Sequence, residues 1–209
     1  NRMKIYNQDC LEAMKDMSDN QFDLAIVDPP YAVEELTGKE FSHDRGILKN
    51  RAFSRGHKKI KKWDVSPKQD YFDELFRVSK NQIIWGGNYF NLPKYRCVIV
   101  WDKKQPFPNF SAVEIAWSSF NKPAKLFKFD NRYKGKIHPT QKPIQLYEWL
   151  LINFAKEGDK ILDTHLGSGS IAIACHNLKY DLAGYEIDKE YFEVANKRIE
   201  QHKSQIRMF

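Results

Sequence analysis

Cysteine is scarce in this chain, and long apolar runs are absent from it. The three cysteines, Cys10, Cys97 and Cys175, are odd in number and lack the spacing of a zinc site or a disulfide framework. We therefore expect neither a structural metal nor a disulfide-stapled secreted fold, and a reducing cytoplasm is the simple interpretation. No apolar run is long enough for a membrane span or a signal peptide, and no repeat or low-complexity segment is visible.

The chain does contain enough apolar and aromatic material for one α/β domain. It has 209 residues, of which 42% are hydrophobic and 14% aromatic. Its formal net charge is +7 at pH 7. A basic balance favours a polyanionic partner such as nucleic acid, although many basic proteins bind none.

A stiff acidic corner follows an apolar run near the start of the chain. Residues 21–27 predict a buried strand, and Asp28-Pro29-Pro30-Tyr31 comes directly after it. In open α/β sheets, ligands bind beyond the carboxyl ends of the strands. The prolines remove two backbone donors, so the corner offers a carboxylate, rigid carbonyl acceptors and a ring. These groups suit a planar ligand with an amine, such as a nucleobase; an Asp-led proline turn without a ligand is the simpler alternative.

A glycine-rich turn forms the second candidate site. Residues 160–163 predict a short buried strand, and residues 164–170 form a turn that contains Gly167 and Gly169. Glycines let a chain turn sharply and approach a ligand closely. The next predicted strand ends at Glu186, whose carboxylate can accept both hydroxyls of a ribose. The spacing also fits a nicotinamide-dinucleotide fingerprint, so the pattern by itself leaves both kinds of cofactor open.

Together these segments resemble the DNA amino-methyltransferases, which methylate the exocyclic amine of adenine or cytosine. The Asp28–Tyr31 tetrapeptide resembles their catalytic motif, and residues 137–143 resemble a His-Pro-Thr-x-Lys-Pro segment that precedes the cofactor-binding strand. The catalytic corner precedes the glycine turn, as in the beta group of the family. The resemblance implies an α/β, Rossmann-like fold with a mostly parallel, doubly wound sheet and an antiparallel strand, and S-adenosyl-L-methionine as methyl donor. A dehydrogenase would leave the acidic corner without a role.

The resemblance also implies a set of site residues. The catalytic residues are Asp28, Pro29, Pro30 and Tyr31. The cofactor-binding residues are Asp9, Cys10, Asp28, Lys142, Asp163, His165, Gly167, Ser168, Gly169 and Glu186, and no metal is required. In this interpretation Asp9 and Cys10 border the donor's adenine, and Lys142 binds its carboxylate; Asp9 is equally suited to a plain helix N-cap. We expect Asp28 and Glu186 to face one cleft from neighbouring strands.

Two basic segments are candidates for contact with DNA. We expect a single catalytic domain over residues 1–209, with flap or target-recognition loops at 32–65 and 102–136. Both segments are rich in lysine and arginine, and loops of such length are often functional; solvated surface loops are the alternative. Within the second segment, residues 112–117 and 124–129 alternate in polarity and predict two antiparallel strands.

The function implied is site-specific methylation of the N6 amine of adenine in double-stranded DNA, on a base flipped out of the helix. Asp28 at the first motif position favours adenine, because family members that modify cytosine more often have Ser there. Methylation of the N4 amine of cytosine, or of an RNA or protein amide, is the alternative. The resemblance implies a bacterial or phage-encoded cytoplasmic protein of a restriction–modification system that associates with the nucleoid. A homodimer and a restriction endonuclease partner stay open.

Overall fold

The structure is a computed structural model, which describes residues 2–31, 66–105, 111–130, 132 and 141–206. The strands are β1 Met3–Tyr6, β2 Phe22–Val27, β3 Ser79–Trp85, β4 Val98–Asp102, β5 Val113–Ser118, β6 Lys125–Lys128, β7 Lys160–Asp163 and β8 Asp181–Tyr185. The helices are α1 Cys10–Lys15, α2 Gln69–Val78, a short 3₁₀ helix Gly87–Tyr89, α3 Ile144–Phe154, α4 Ser170–Asn177 and α5 Lys189–Ile206. The predicted flap at 32–65 lies outside the described residues, as do residues 106–110, 131 and 133–136 of the second basic segment.

The described strands form one sheet in the order β1-β8-β7-β2-β3-β5-β4-β6. Strand β5 runs antiparallel to both of its neighbours, β3 and β4, and the other pairings are parallel. The predicted Rossmann-like sheet with an antiparallel strand is therefore confirmed. The predicted strands at 112–117 and 124–129 are both present and run antiparallel to each other, but they are not neighbours, because β4 lies between β5 and β6 and pairs with both. Alternation reports which face of a strand is buried, but it does not identify the strand's partner.

Helices cover both faces of the sheet, so successive side chains of a central strand enter different cores. Leu24 and Ile26 of β2 pack in one core with side chains of α3, α4 and α5. Ala25 and Val27 pack in the other core with α1 and α2. Burial on both faces explains the continuous apolar run of β2. It also holds the end of that strand, and with it the acidic corner, in a fixed position.

No helix among the described residues is both long and apolar enough to cross a lipid bilayer.

Candidate active site

Three acidic residues come at the carboxyl ends of three adjacent strands. Asp28 follows β2, Asp163 ends β7 and Glu186 follows β8. From the contact between β7 and β2 the chain winds outward in both directions, through α2 to β3 and through α4 to β8. Such a switch point is where open α/β sheets bind their ligands. The expectation that Asp28 and Glu186 come from neighbouring strands is wrong, because β7 pairs with both β2 and β8 and places Asp163 between them.

The Asp28 carboxylate is held by a lysine from a distant part of the chain. Lys142, just before α3, donates from Nζ to Asp28 Oδ2, and its Nζ also lies 3.1 Å from Glu114 Oε2. Burial raises the pKa of Asp28, although the Lys142 ammonium opposes that effect. Burial acts to lower the pKa of Lys142, but the Asp28 and Glu114 carboxylates outweigh it and raise that pKa well above its usual range. The lysine is therefore a cation at every pH of interest.

Glu114 and Lys103 complete this ion network, and sequence reasoning did not select them. Glu114 lies on β5, and its Oε1 is 2.7 Å from Lys103 Nζ, just beyond the end of β4. Burial raises the pKa of Glu114, but the Lys142 and Lys103 ammonium groups lower it more, so the net pKa is below the usual value. A charged residue between Val113 and Ile115 was the available signal. It did not reveal that the strand reverses direction and brings this side chain to the acidic corner.

The Tyr31 ring is stacked against a second tyrosine. The ring centroids of Tyr31 and Tyr89 are 4.8 Å apart, with an interplanar angle of 12°. Gly86 lies under Tyr31, and a Cβ built on Gly86 would lie 2.5 Å from Tyr31 Cδ1. Tyr31, Tyr89 and Glu114 line a cavity of about 70 Å³, which has room for a few water molecules. The acidic corner thus opens into a small aromatic pocket with a carboxylate in its wall.

The glycine turn between β7 and α4 lies beside Glu186. Gly167 and Gly169 have φ of +52° and +73°, values that favour glycine. The Gly167 N–H donates to Glu186 Oε2 at 2.9 Å, and the Asp188 N–H donates to Oε1 at 3.0 Å. Arg198 of α5 donates to the Ser168 carbonyl at 2.7 Å. The turn is therefore held in one conformation, with the acid fixed against its backbone.

Burial dominates the electrostatics at the end of β7. It raises the pKa of Asp163 to about 8, and the nearby Asp28 and Glu186 carboxylates contribute to the rise. Asp163 Oδ1 accepts the His165 N–H at 3.0 Å. Burial also lowers the pKa of His165 to about 4, so its ring is neutral at pH 7. Thr164 Oγ1 lies 2.9 Å from His165 Nδ1, which orients the ring.

Asp9 and Cys10 lie at the start of α1. Asp9 Oδ1 accepts the Leu11 N–H at 2.8 Å, so the predicted N-cap is confirmed. Burial, together with the Asp9 charge, raises the pKa of the Cys10 thiol to about 12. A thiol that stays protonated at neutral pH is a poor nucleophile. Of the His-Pro-Thr-x-Lys-Pro segment, the structure describes residues 141–143, and residues 137–140 lie outside it.

Comparison with known proteins shows what this chain is similar to. Residues 101–197 match the family model described as DNA methylase, of the N6/N4 type. The chain is 26% identical to the Type II methyltransferase M2.DpnII of Streptococcus pneumoniae over 250 residues, which cover 96% of this chain and 90% of that protein. The Type II methyltransferase M.HpaI of Haemophilus parainfluenzae is 24% identical, and the match covers 94% of this chain and 74% of that protein. The crystal structure of the M1.HpyAVI–SAM complex has the same fold, with a TM-score of 0.60, 22% identity, and coverage of 94% and 99% of the two chains.

Along almost its whole length the chain is similar to DNA amino-methyltransferases. The prediction of an S-adenosylmethionine-dependent DNA methyltransferase is confirmed. The residues of this amino-methyltransferase suit that donor. Among the described residues, a Cβ on Gly167 would meet nothing closer than the His165 carbonyl at 3.9 Å, so those residues leave space for a ligand at the turn. Glu186 uses one lone pair on each oxygen for the backbone and keeps others for ribose hydroxyls.

Proposed function

We propose that this amino-methyltransferase transfers a methyl group from S-adenosylmethionine to the N6 amine of an adenine in double-stranded DNA. The observation that carries the proposal is the adjacency of β2 and β7 at the switch point. It puts Asp28, just past the end of β2, beside the strand that leads into the glycine turn, and Tyr31 follows Asp28 at the same corner. A methyl donor held at the turn and a base held at Tyr31 would meet at one edge of the sheet.

The proposed roles at the acidic corner follow from the chemistry of the amine. Its lone pair is delocalised into the ring, so the nitrogen is a poor nucleophile. Hydrogen bonds from its N–H groups to the Asp28 carboxylate and the Pro29 carbonyl would favour tetrahedral geometry at nitrogen. The same acceptors would stabilise the positive charge that develops on nitrogen during transfer. The sulfonium of the donor supplies an electrophilic methyl group, and Asp28 need not deprotonate the neutral amine before attack.

The stacked tyrosines mark where the flipped base would bind. Base-modifying enzymes extrude their target and hold it against aromatic rings. The Tyr31 face is covered by Tyr89, and the adjoining cavity of about 70 Å³ is smaller than a purine. The base must therefore displace Tyr89 or enter between the two rings. Tyr89 is 45% exposed, and it is the more mobile partner in this proposal.

Adenine is proposed over cytosine on the identity of the acid at the corner. Asp28 stands where family members that modify adenine mostly have Asp. The Type II designation of the matched relatives supports a role in restriction–modification. An accompanying endonuclease, a homodimer, and target recognition by segments 32–65 and 102–136 belong to the same proposal.

Replacing Asp28 with Asn tests the function. We expect Asp28→Asn to lower methyl transfer to DNA by about 100- to 1,000-fold, because a neutral amide stabilises the developing charge less well. The assay incubates the protein with radiolabelled S-adenosylmethionine and unmodified DNA, RNA or casein in separate reactions. Digested DNA is then chromatographed to separate N6-methyladenine from N4-methylcytosine.

Asp19→Asn is the matched control. Asp19 is also paired with a cation, because its Oδ1 lies 2.8 Å from Arg77 Nη1, but it is exposed and far from the corner in the fold. This variant should retain wild-type transfer. Label in RNA or protein instead of DNA, or label at cytosine N4, would contradict the proposed substrate, and near-normal turnover by Asp28→Asn would contradict the role of the acid.

A further inference from the structure

Two lysines and two carboxylates alternate in a chain that ends at Asp28. The order is Lys103, Glu114, Lys142, Asp28, and each neighbouring pair is in ionic contact. The four residues come from four parts of the fold: after β4, within β5, before α3 and after β2. Segments far apart in sequence therefore converge on one carboxylate.

The network is buried and balanced in charge. The Lys142 side chain is 2% exposed, and those of Lys103 and Glu114 are 14% and 23% exposed. The Lys142 Nζ also lies 5.1 Å from the centroid of the Trp85 ring. Buried ion pairs contribute little net stability, whereas loss of one partner is strongly destabilising. A costly arrangement of this kind, beside a reactive acid, points to a role in positioning.

We propose that Glu114 is a positioning residue of the methyl-transfer site, which acts on Asp28 by sharing the Lys142 ammonium. This inference rests on the proposed function. The Lys142 ammonium contacts both carboxylates, so its positive charge is shared between Asp28 and Glu114. Asp28 keeps enough negative charge to accept an amine N–H and is still held in a fixed orientation. Lys103 binds the other oxygen of Glu114 and sets its position.

The geometry favours this role of Lys142 over contact with the donor's carboxylate. An ammonium group has three N–H donors, and two are directed at Asp28 and Glu114. The side chain is almost entirely buried, and the Trp85 ring covers part of it. Only the third donor is left for a further anion, and burial of the side chain restricts access to it. The two roles predict different kinetics for the same variant.

The charges around Asp28 give each variant a characteristic pH profile. The charged groups that face Asp28 are Lys142, Glu114 and Lys103. Asp28 also acts on Asp163 of β7 and on the phenols of Tyr31, Tyr71 and Tyr147. Tyr31 and Tyr147 face Lys142 as well. Methyl transfer needs Asp28 ionised, so kcat rises with pH through the pKa of that carboxyl. Glu114 raises this pKa and Lys142 lowers it. Removing one charge or the other must therefore shift the acid limb, the rising part of the kcat profile at low pH, in opposite directions.

The experiment measures kcat and the KM for S-adenosylmethionine against pH for the full chain and its Glu114→Gln and Lys142→Met variants. We expect Glu114→Gln to lower kcat by about 10- to 100-fold, the usual cost of a misplaced catalytic group. The acid limb of this variant should move to lower pH, because the Lys142 ammonium then interacts with Asp28 alone and lowers the pKa of that carboxyl further. Lys142→Met should move the acid limb to higher pH. In both variants the Kd of S-adenosylmethionine, measured by titration calorimetry, should stay within about twofold of the wild type because neither residue binds the donor.

Glu200→Gln on α5 is the control, because Glu200 is likewise paired with a lysine, at 2.7 Å, but is exposed. It should leave kcat and the pH profile unchanged. If Lys142→Met fails to fold, Lys103→Met replaces it, and its acid limb should also move to higher pH. Glu114→Gln with kcat within twofold of wild type, acid limbs that move in the same direction, or a weakened Kd for the donor in Lys142→Met would each overturn the inference. Absence of methyl transfer by the wild type would instead contradict the proposed function.

Discussion

Buried titratable side chains crowd the carboxyl edge of the sheet, and each takes its protonation state from its surroundings. His165 stands where the DNA amino-methyltransferases that this chain resembles usually have Phe. Its pKa of about 4 keeps the ring neutral at pH 7, and its edge-on contact with Tyr71, at a centroid distance of 5.5 Å, is that of a packed aromatic. The imidazole therefore replaces the phenyl ring without adding a charge. Thr164 satisfies one ring nitrogen that a phenyl ring would not have.

Asp163 should make the protein less stable as the pH rises. Its pKa is about 8 in the folded chain and near the ordinary carboxyl value when unfolded, so folding binds a proton between those values. Since the unfolded state binds fewer protons in that range, stability falls with pH, by about 1.4 kcal/mol per pH unit for one proton. Asp163→Asn keeps an acceptor for the His165 N–H and removes the titration.

Urea unfolding of the wild type and of Asp163→Asn, at intervals from pH 5 to pH 7.5, measures this difference. The variant should lose less stability per pH unit than the wild type over that window, and it should be the more stable protein at the upper end. Parallel stability–pH curves for the two proteins would show that Asp163 is ionised in the folded state.

The turn at the end of β3 shapes the aromatic pocket at Tyr31 through two glycines with different constraints. A Cβ on Gly87 would lie 2.3 Å from Trp117 Cβ and 2.9 Å from its backbone nitrogen, so β5 leaves no room there. Gly86 has φ +67°, and the neighbour that its Cβ would meet is the Tyr31 ring. Gly87 therefore allows β5 to pack against the turn, whereas Gly86 allows Tyr31 to lie flat over it.

Gly86→Ala should disturb the pocket more than the fold. A left-handed conformation costs a non-glycine residue roughly 1–2 kcal/mol, and Tyr31 must also move away from the new methyl group. We expect a modest loss of stability and at least a tenfold loss of methyl transfer, mostly through weaker binding of the flipped base, since stacking contributes about 1–3 kcal/mol per base. Thermal unfolding and steady-state kinetics measure the two effects separately.

Gly158→Ala is the matched control for that variant. Gly158 has φ +85°, and a Cβ there would meet nothing within 4 Å. Gly158→Ala should lose a similar amount of stability, because its new side chain also has a left-handed backbone, and it should retain wild-type methyl transfer. Equal activity of the two variants would mean that the position of Tyr31 does not affect catalysis.

The net charge of +7 belongs to the chain as a whole, and it matters most for association with DNA. Lysines and arginines that contact phosphates release counterions, and so binding weakens as salt rises. For about four phosphate contacts, affinity for DNA should fall by about 100-fold between 50 and 200 mM salt. Fluorescence anisotropy with a labelled duplex measures this slope. Binding of S-adenosylmethionine over the same range is the internal control, and its affinity should change little with salt. If the affinity for DNA changes as little, the case for basic segments that contact phosphates is removed.

Much of the fold was predictable because its signals are local. The apolar run of β2 and the glycines after β7 indicated a Rossmann-like sheet with ligand sites at the strand ends. Strand pairing was less predictable. The alternation in β5 and β6 predicted two strands but not that β4 lies between them, because pairing depends on how distant segments pack and not on the alternation within each strand.

The sequence by itself determined the enzyme class, the sheet class and the acid, ring and glycines of the candidate site, since these depend on short motifs in a set order. Only the tertiary structure decided that Asp163 stands between Asp28 and Glu186, and that Glu114 and Lys103 join Lys142 at the acidic corner. The physical reason is that these relations arise where the ends of separate strands meet. Charges buried there act on one another across a few ångströms, although more than 80 residues of chain separate Asp28 from Glu114.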